Sequence, residues 1–166
     1  MGASGGAPGP DSGPERLLAD LGASLAVLIV AAVPGWIESA VARLIEAWEG
    51  AGGVVDRRAV EAEAHEAGAR AAAEVGQRLD ALVGADVDAQ WTTPLEVVRA
   101  AVVHPTAVLR RAGVPPVVRD DFSEARFPDD VYGLTPASLA AVDPSLVDPA
   151  RAWGAAKAMA HKARHR

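Results

Sequence analysis

The chain's 166 residues carry a formal charge of −6; half are apolar, only 4% are aromatic, and none is cysteine. This length suits one domain around one core, and the missing thiols exclude a disulfide framework, a thiolate nucleophile and any cysteine-bound zinc or iron–sulfur centre. With so few rings, the core has to be built from Ala, Val and Leu, side chains that suit closely spaced helices.

Residues 1–90 hold 14 acids against 6 bases, and residues 91–166 hold 8 against 10. An acidic total with little aromatic interleaving speaks against nucleic acid as a partner. Residues 1–14, within MGASGGAPGPDSGPER, read as a disordered Gly/Pro-rich tail. They lack the basic segment of a secretory signal and the register for N-myristoylation, so a cytoplasmic location is expected.

Residues 15–166 read as a single helical domain, with a hairpin over 15–84 and an irregular wrap over 91–166. A first helix runs over 15–33, with Leu17, Leu18, Leu21, Leu25, Leu28 and Ile29 as its seam. Pro34 should then bend or interrupt it. A second run, Trp36, Ile37, Ala40, Val41, Leu44, Ile45 and Trp48, repeats the helical spacing and ends at the glycines of GAGG.

The stretch Leu21–Ile37 has no charge and is apolar around the helix. Its 17 residues fall at the lower edge of the ~20 that span a bilayer, while Asp20, Pro34-Gly35 and its many small side chains favour burial in protein. Leu25, Leu28, Ile29, Trp36 and Trp48 are therefore interface candidates, with Leu25–Val33 as the seam if two hairpins pair.

Asp56 is placed to cap a second helix that reaches Val83, with Val55 and Val60 as a hydrophobic staple. Its stripe of Val60, Ala64, Ala67, Ala71, Val75, Leu79 and Leu82 is made of small and aliphatic side chains, suited to a close antiparallel pairing with the first helix. Glu66, Arg70, Glu74 and Arg78 follow one another at helical spacing on the other face.

After Trp91 the chain changes to short helices started by proline. Thr93-Pro94-Leu95-Glu96 has the form of a capping box and predicts a helix to Val103, interrupted at His104-Pro105. A further turn or two should end at Gly113, followed by extended chain through Pro115 and Pro116. Thr135-Pro136 and Asp148-Pro149 predict helices over 136–142 and 149–163. Trp91, Phe122, Phe127, Tyr132 and Trp153 are the expected anchors of this wrap, and no segment alternates as a strand would. The fold class is thus all-α, a long kinked helical hairpin wrapped by several short proline-initiated helices.

Chemistry-bearing motifs are sparse. His65 lacks the repeated Glu-x-x-His of a di-iron bundle and is expected to pair with Glu61; no metal or cofactor is expected. Asp120, Asp121, Asp129 and Asp130 are two acidic doublets without the glycine and final Glu of an EF-hand, so they read first as caps and turn formers, with Arg119 and Arg126 near enough to neutralise them. No glycine elbow exposes a serine and no phosphate loop is present. The basic end, RAWGAAKAMAHKARHR, is suited to a helix C-terminus, an anionic surface or the chain's own acidic front half.

The leading expectation is a non-catalytic interaction or scaffold protein acting through helical surfaces on a protein partner or on a second copy of itself. The catalytic alternative is a small enzyme or ligand-binding protein whose pocket gathers Trp91, His104, Asp120, Asp121, Asp129 and Asp130. A third reading is membrane association through Leu21–Ile37.

Overall fold

The computed structural model describes residues 13–83 and 93–166. The tail read as disordered over 1–14 falls mostly outside them, as does Trp91. Helix α1 spans Gly13–Gly50 and α2 Arg57–Val83. Then follow α3 (Pro94–Ala100), α4 (Val103–Arg111), α5 (Asp121–Arg126), α6 (Leu139–Val142), a single 3₁₀ turn at Pro144–Leu146, and α7 (Val147–Arg164). Among the described residues there is no strand.

The hairpin is antiparallel. Gly68 of α2 packs on Pro34 and Gly76 near Val30, while Arg57 Nε lies 2.7 Å from Glu49 Oε1 at the closed end. That end is shaped by Gly52, at φ +97°, and by Gly53, where the Trp48 indole fills the place a Cβ would take. Asp56 caps α2 as expected, its carboxylate accepting from Ala59 N at 3.2 Å.

Pro34 does not interrupt α1, which is one helix of 38 residues. A proline costs the helix the N–H owed to the carbonyl four residues back, and here the flanking turns are held by packing on α2. Gly68 is what lets the two backbones meet at this point: a Cβ there would stand 3.1 Å from Pro34 Cα and 3.4 Å from its carbonyl oxygen. At Gly76 the nearest atom would be Val30 Cγ2, at 3.4 Å. Gly76→Ala should therefore raise the melting temperature through the roughly 1 kcal/mol that alanine gains over glycine in a helix. Gly68→Ala should lower it, because a rigid helix backbone has to give way. Paired thermal melts check the two signs.

α7 and α4 close over the hairpin. Arg164 Nε meets Glu15 Oε1 at 2.7 Å, so the basic end docks on the acidic front half. Antiparallel to α2, α4 places His104 Nε2 2.6 Å from Glu74 Oε2 and Arg111 Nε 3.6 Å from Glu63 Oε2. The two halves share one apolar cluster, in which Ile29, Ile37 and Val75 of the hairpin meet Val98, Leu109 and Leu146 of the wrap.

Three local expectations are corrected. The break after α3 comes at Ala101–Val102 and not at His104-Pro105, because the Pro105 ring excludes the carbonyl of the residue four back, Ala101. The helix expected over 136–142 shrinks to Leu139–Val142, since the Thr135 hydroxyl donates to Asp130 and does not cap. Phe122 is no anchor: it is 69% exposed, whereas Tyr132 and Trp153 are buried. The stop at Gly113, with φ +78°, is as read; Val114 N reaches back to Leu109 O and Gly113 N to Arg110 O, which closes the last carbonyls of α4.

Candidate functional site

Two regions of the molecule stand out as candidate contact surfaces, and they lie on different elements. The first is the outer face of α1. Leu25 and Ile29, together with Val33 and Trp36, turn inward and are buried by the chain's own helices. Leu28 is 41% exposed and Val27 69%, and Leu17 is exposed as well. The interface candidates thus divide: Leu28 is on the surface, Leu25, Ile29 and Trp36 are core, and Trp48 is half-buried at the hairpin turn. α1 is a helix long and apolar enough to cross a membrane, and only 28% of its most apolar window of 18 residues is buried.

Asp20, Ser24, Val27, Leu28, Ala31, Gly35, Ser39 and Arg43 are all exposed and recur at three- and four-residue steps, so they form one stripe along the outer side of α1. It begins with an acid, ends with a base and has no charge between.

The second region is a cleft of about 470 Å³ between α3, α4 and the chain following α5. Val103, Thr106, Ala107 and Arg110 present one face of α4 to it, Arg99 comes from α3, Arg126 from α5, and Asp129 and Asp130 from the loop. The pocket expected from the sequence is only partly assembled. Asp129 and Asp130 line this cleft; His104 lies against Glu74 on α2, and Asp120 and Asp121 are exposed on α5. Among the described residues no group of three His, Asp or Glu side chains is placed to hold a metal.

The acidic doublets do the work of caps and turns. Asp120 accepts from Ser123 N at 2.6 Å and caps α5. Asp130, 6% exposed, accepts from Leu134 N and Thr135 N, both at 2.8 Å, and from Thr135 Oγ1 at 2.7 Å. The two arginines expected to neutralise the doublets do otherwise: Arg119 donates to the carbonyl oxygens of Phe127 and Pro128, and Arg126 lies over the Phe127 ring. His65 Nδ1 lies 2.9 Å from Glu38 Oε1 across the hairpin, where the sequence suggested Glu61.

Hydrogen bonds from the Ser123 backbone and then its side chain hold the Asp120 carboxyl below the usual carboxylate range; those from the Ser145 side chain and then its backbone do the same for Asp143. Since both groups are depressed in the folded chain, their capping is fully present above about pH 4 and is lost as pH falls through the lower folded values. The Ser123 amide resonance should therefore titrate at lower pH than in a peptide of the same local sequence. Burial pushes the Tyr132 hydroxyl up, against the opposing charge of Arg110, and that hydroxyl donates to Val114 O at 2.7 Å.

Comparison with family models, curated proteins and solved structures gave no match.

The sequence does not group the arginines of the cleft: Arg126 is named there only as a neutraliser of the acidic doublets, and Arg99, Arg110 and Arg126 sit on three separate elements. Their convergence depends on the turn at Ala101–Val102 and on the loop pinned by Asp130.

Proposed function

We propose that the protein is a non-catalytic scaffold, cytoplasmic, that pairs with a second copy of itself through the outer stripe of α1. The observation that carries this reading is the low burial of the apolar window of α1, in which 28% of the 18 residues are buried. An uncharged helix face of this length is costly to leave in water and is a common signature of an interaction surface.

The stripe is self-complementary. Antiparallel pairing about Ala31 sets Asp20 of each copy against Arg43 of the other, Ser24 against Ser39, and Leu28 over Gly35, with Ala31 near the twofold axis. From Asp20 to Arg43 the seam is about 35 Å long at 1.5 Å per residue. Ala31 and Gly35 allow the helices a close approach, and Val27 and Leu28 fill the space on either side.

Light scattering after size exclusion, without detergent, should give twice the chain mass of 17.0 kDa. Leu28→Glu should give a folded monomer, since the introduced carboxylate would be buried unpaired only in the dimer. Asp20→Arg should weaken pairing, and Arg43→Asp in the same chain should restore it. A wild-type monomer in this experiment ends the self-association reading, and recovery only in detergent replaces it by membrane association.

A further inference from the structure

We propose that the cleft between α3, α4 and the loop after α5 is a binding site for a small organic monoanion, an apolar body carrying one carboxylate. The volume of about 470 Å³ lies within the roughly 300–1,000 Å³ of small-molecule sites. Its walls combine Val102, Val103, Ala107, Phe127 and Pro128 with three guanidinium groups.

The arginines are unusually placed for an acidic protein. Arg99 Cζ stands 5.7 Å and Arg126 Cζ 5.4 Å from the centroid of the same Phe127 ring, and Arg110 joins them from α4. Among the described residues no carboxylate lies within ion-pair distance of any of the three. Arg99 is fixed by donating from Nε to Pro136 O at 3.0 Å and from Nη2 to Ala137 O at 3.2 Å. Like charges gathered around one ring repel, and an anion between them relieves that repulsion with charge-assisted hydrogen bonds.

The second observation is Thr106. It lines the cleft, is 4% exposed, and its Oγ1 has no hydrogen-bond partner. Buried hydroxyls are almost always partnered; this one lies in the cleft wall just beneath the accessible surface, so a ligand oxygen reaches it only with a small movement of that wall. Charge count selects the class of anion. The carboxylate of Asp130 is already engaged by Leu134 and Thr135, and Asp129 stands at the cleft, so among the side chains that line it, Arg119 lying behind the wall on the Phe127 and Pro128 carbonyls, three arginines against two aspartates leave one positive charge. A monocarboxylate matches this; a phosphate dianion overshoots it and meets Asp129.

Calorimetry and amide-resolved NMR with phenylacetate, phenylacetamide and inorganic phosphate test the assignment. Phenylacetate should shift the amides of Val102, Thr106, Ala107 and Arg110 and bind at least tenfold more tightly than the neutral amide or phosphate. Arg126→Gln, at an exposed position of a surface helix, should weaken phenylacetate about tenfold with the fold and the mass of the protein unchanged, and Arg110→Gln should do the same. Equal binding of phenylacetamide, equal binding of phosphate, no shift at α4, or unchanged affinity in both arginine variants would each overturn the proposal.

Discussion

Ile29→Ala should cost about 2–5 kcal/mol of folding stability, whereas Leu28→Ala, one residue away, should cost well under 1 kcal/mol in the monomer. Ile29 is 0% exposed and ranks among the largest fully buried side chains. With Leu25, Leu79 and Trp153 it borders a void of only about 10 Å³, so the packing around it is nearly complete and is contributed by α1, α2 and α7 together. Because α2 and α7 are each held on α1 by further contacts along it, neither moves in freely to fill the space left by the missing carbons, and the cavity term adds to the lost transfer free energy. Leu28 points the other way. Urea unfolding monitored by circular dichroism, at one fixed protein concentration because pairing would couple to stability, should show a lower midpoint with an unchanged slope for Ile29→Ala. A midpoint equal to that of Leu28→Ala would mean that the inward face of α1 is not the one described.

That contrast shows how far the sequence could be read. Periodicity placed α1 and α2 and their antiparallel pairing, because the apolar residues of α2 recur at helical spacing against small neighbours. For Leu21–Ile37 the same signal fails: where every position is apolar, no period remains to say which side faces in. Leu25, Leu28 and Ile29 therefore looked alike in sequence and separate only once α7 and α2 are laid on α1. At Pro34 the sequence leaves a bend or an interruption open, and only the interruption fails, since a proline rule describes an isolated helix and Gly68 across the crossing supplies packing that the rule does not contain.

Of the caps read in the wrap, Thr93 holds, accepting from Glu96 N at 3.3 Å. Asp148 does not cap: α7 starts at Val147, directly after the 3₁₀ turn that Asp143 caps by accepting from Ser145 N at 2.9 Å. Long-range partners were not legible. Glu74 looked committed to Arg70 and Arg78 on its own helix, yet it meets His104, thirty residues later. The cationic cleft lay still further out of reach, because Arg99, Arg110 and Arg126 each fit an ordinary role near a helix end, where cations favour the last carbonyls.

Asp130→Ala should be among the most damaging single changes in the wrap, lowering stability by about 2–4 kcal/mol. The carboxylate satisfies the N–H groups of Leu134 and Thr135 and the Thr135 hydroxyl at once, and Leu134 is itself buried. Alanine leaves those donors without a partner in a place water reaches poorly, which costs more than the hydrogen bonds were worth in exchange with water. Asp130→Asn should be milder, since its one carbonyl oxygen can still serve some of these donors. The consequence is spatially selective. Phe127 and Pro128 belong to the same loop, with Asp130 N donating to Phe127 O, so loss of the pin should also loosen the wall on which Arg99 and Arg126 lie. The outer stripe of α1 is on another element and should be untouched. Hydrogen exchange should accordingly show Leu134 and Thr135 amides losing protection in Asp130→Ala while α1 and α2 keep theirs, with phenylacetate affinity falling and the mass in solution unchanged. Equal loss of protection in α1 would instead mean that loop and hairpin unfold as one unit, and that the cleft and the pairing face are not energetically separate.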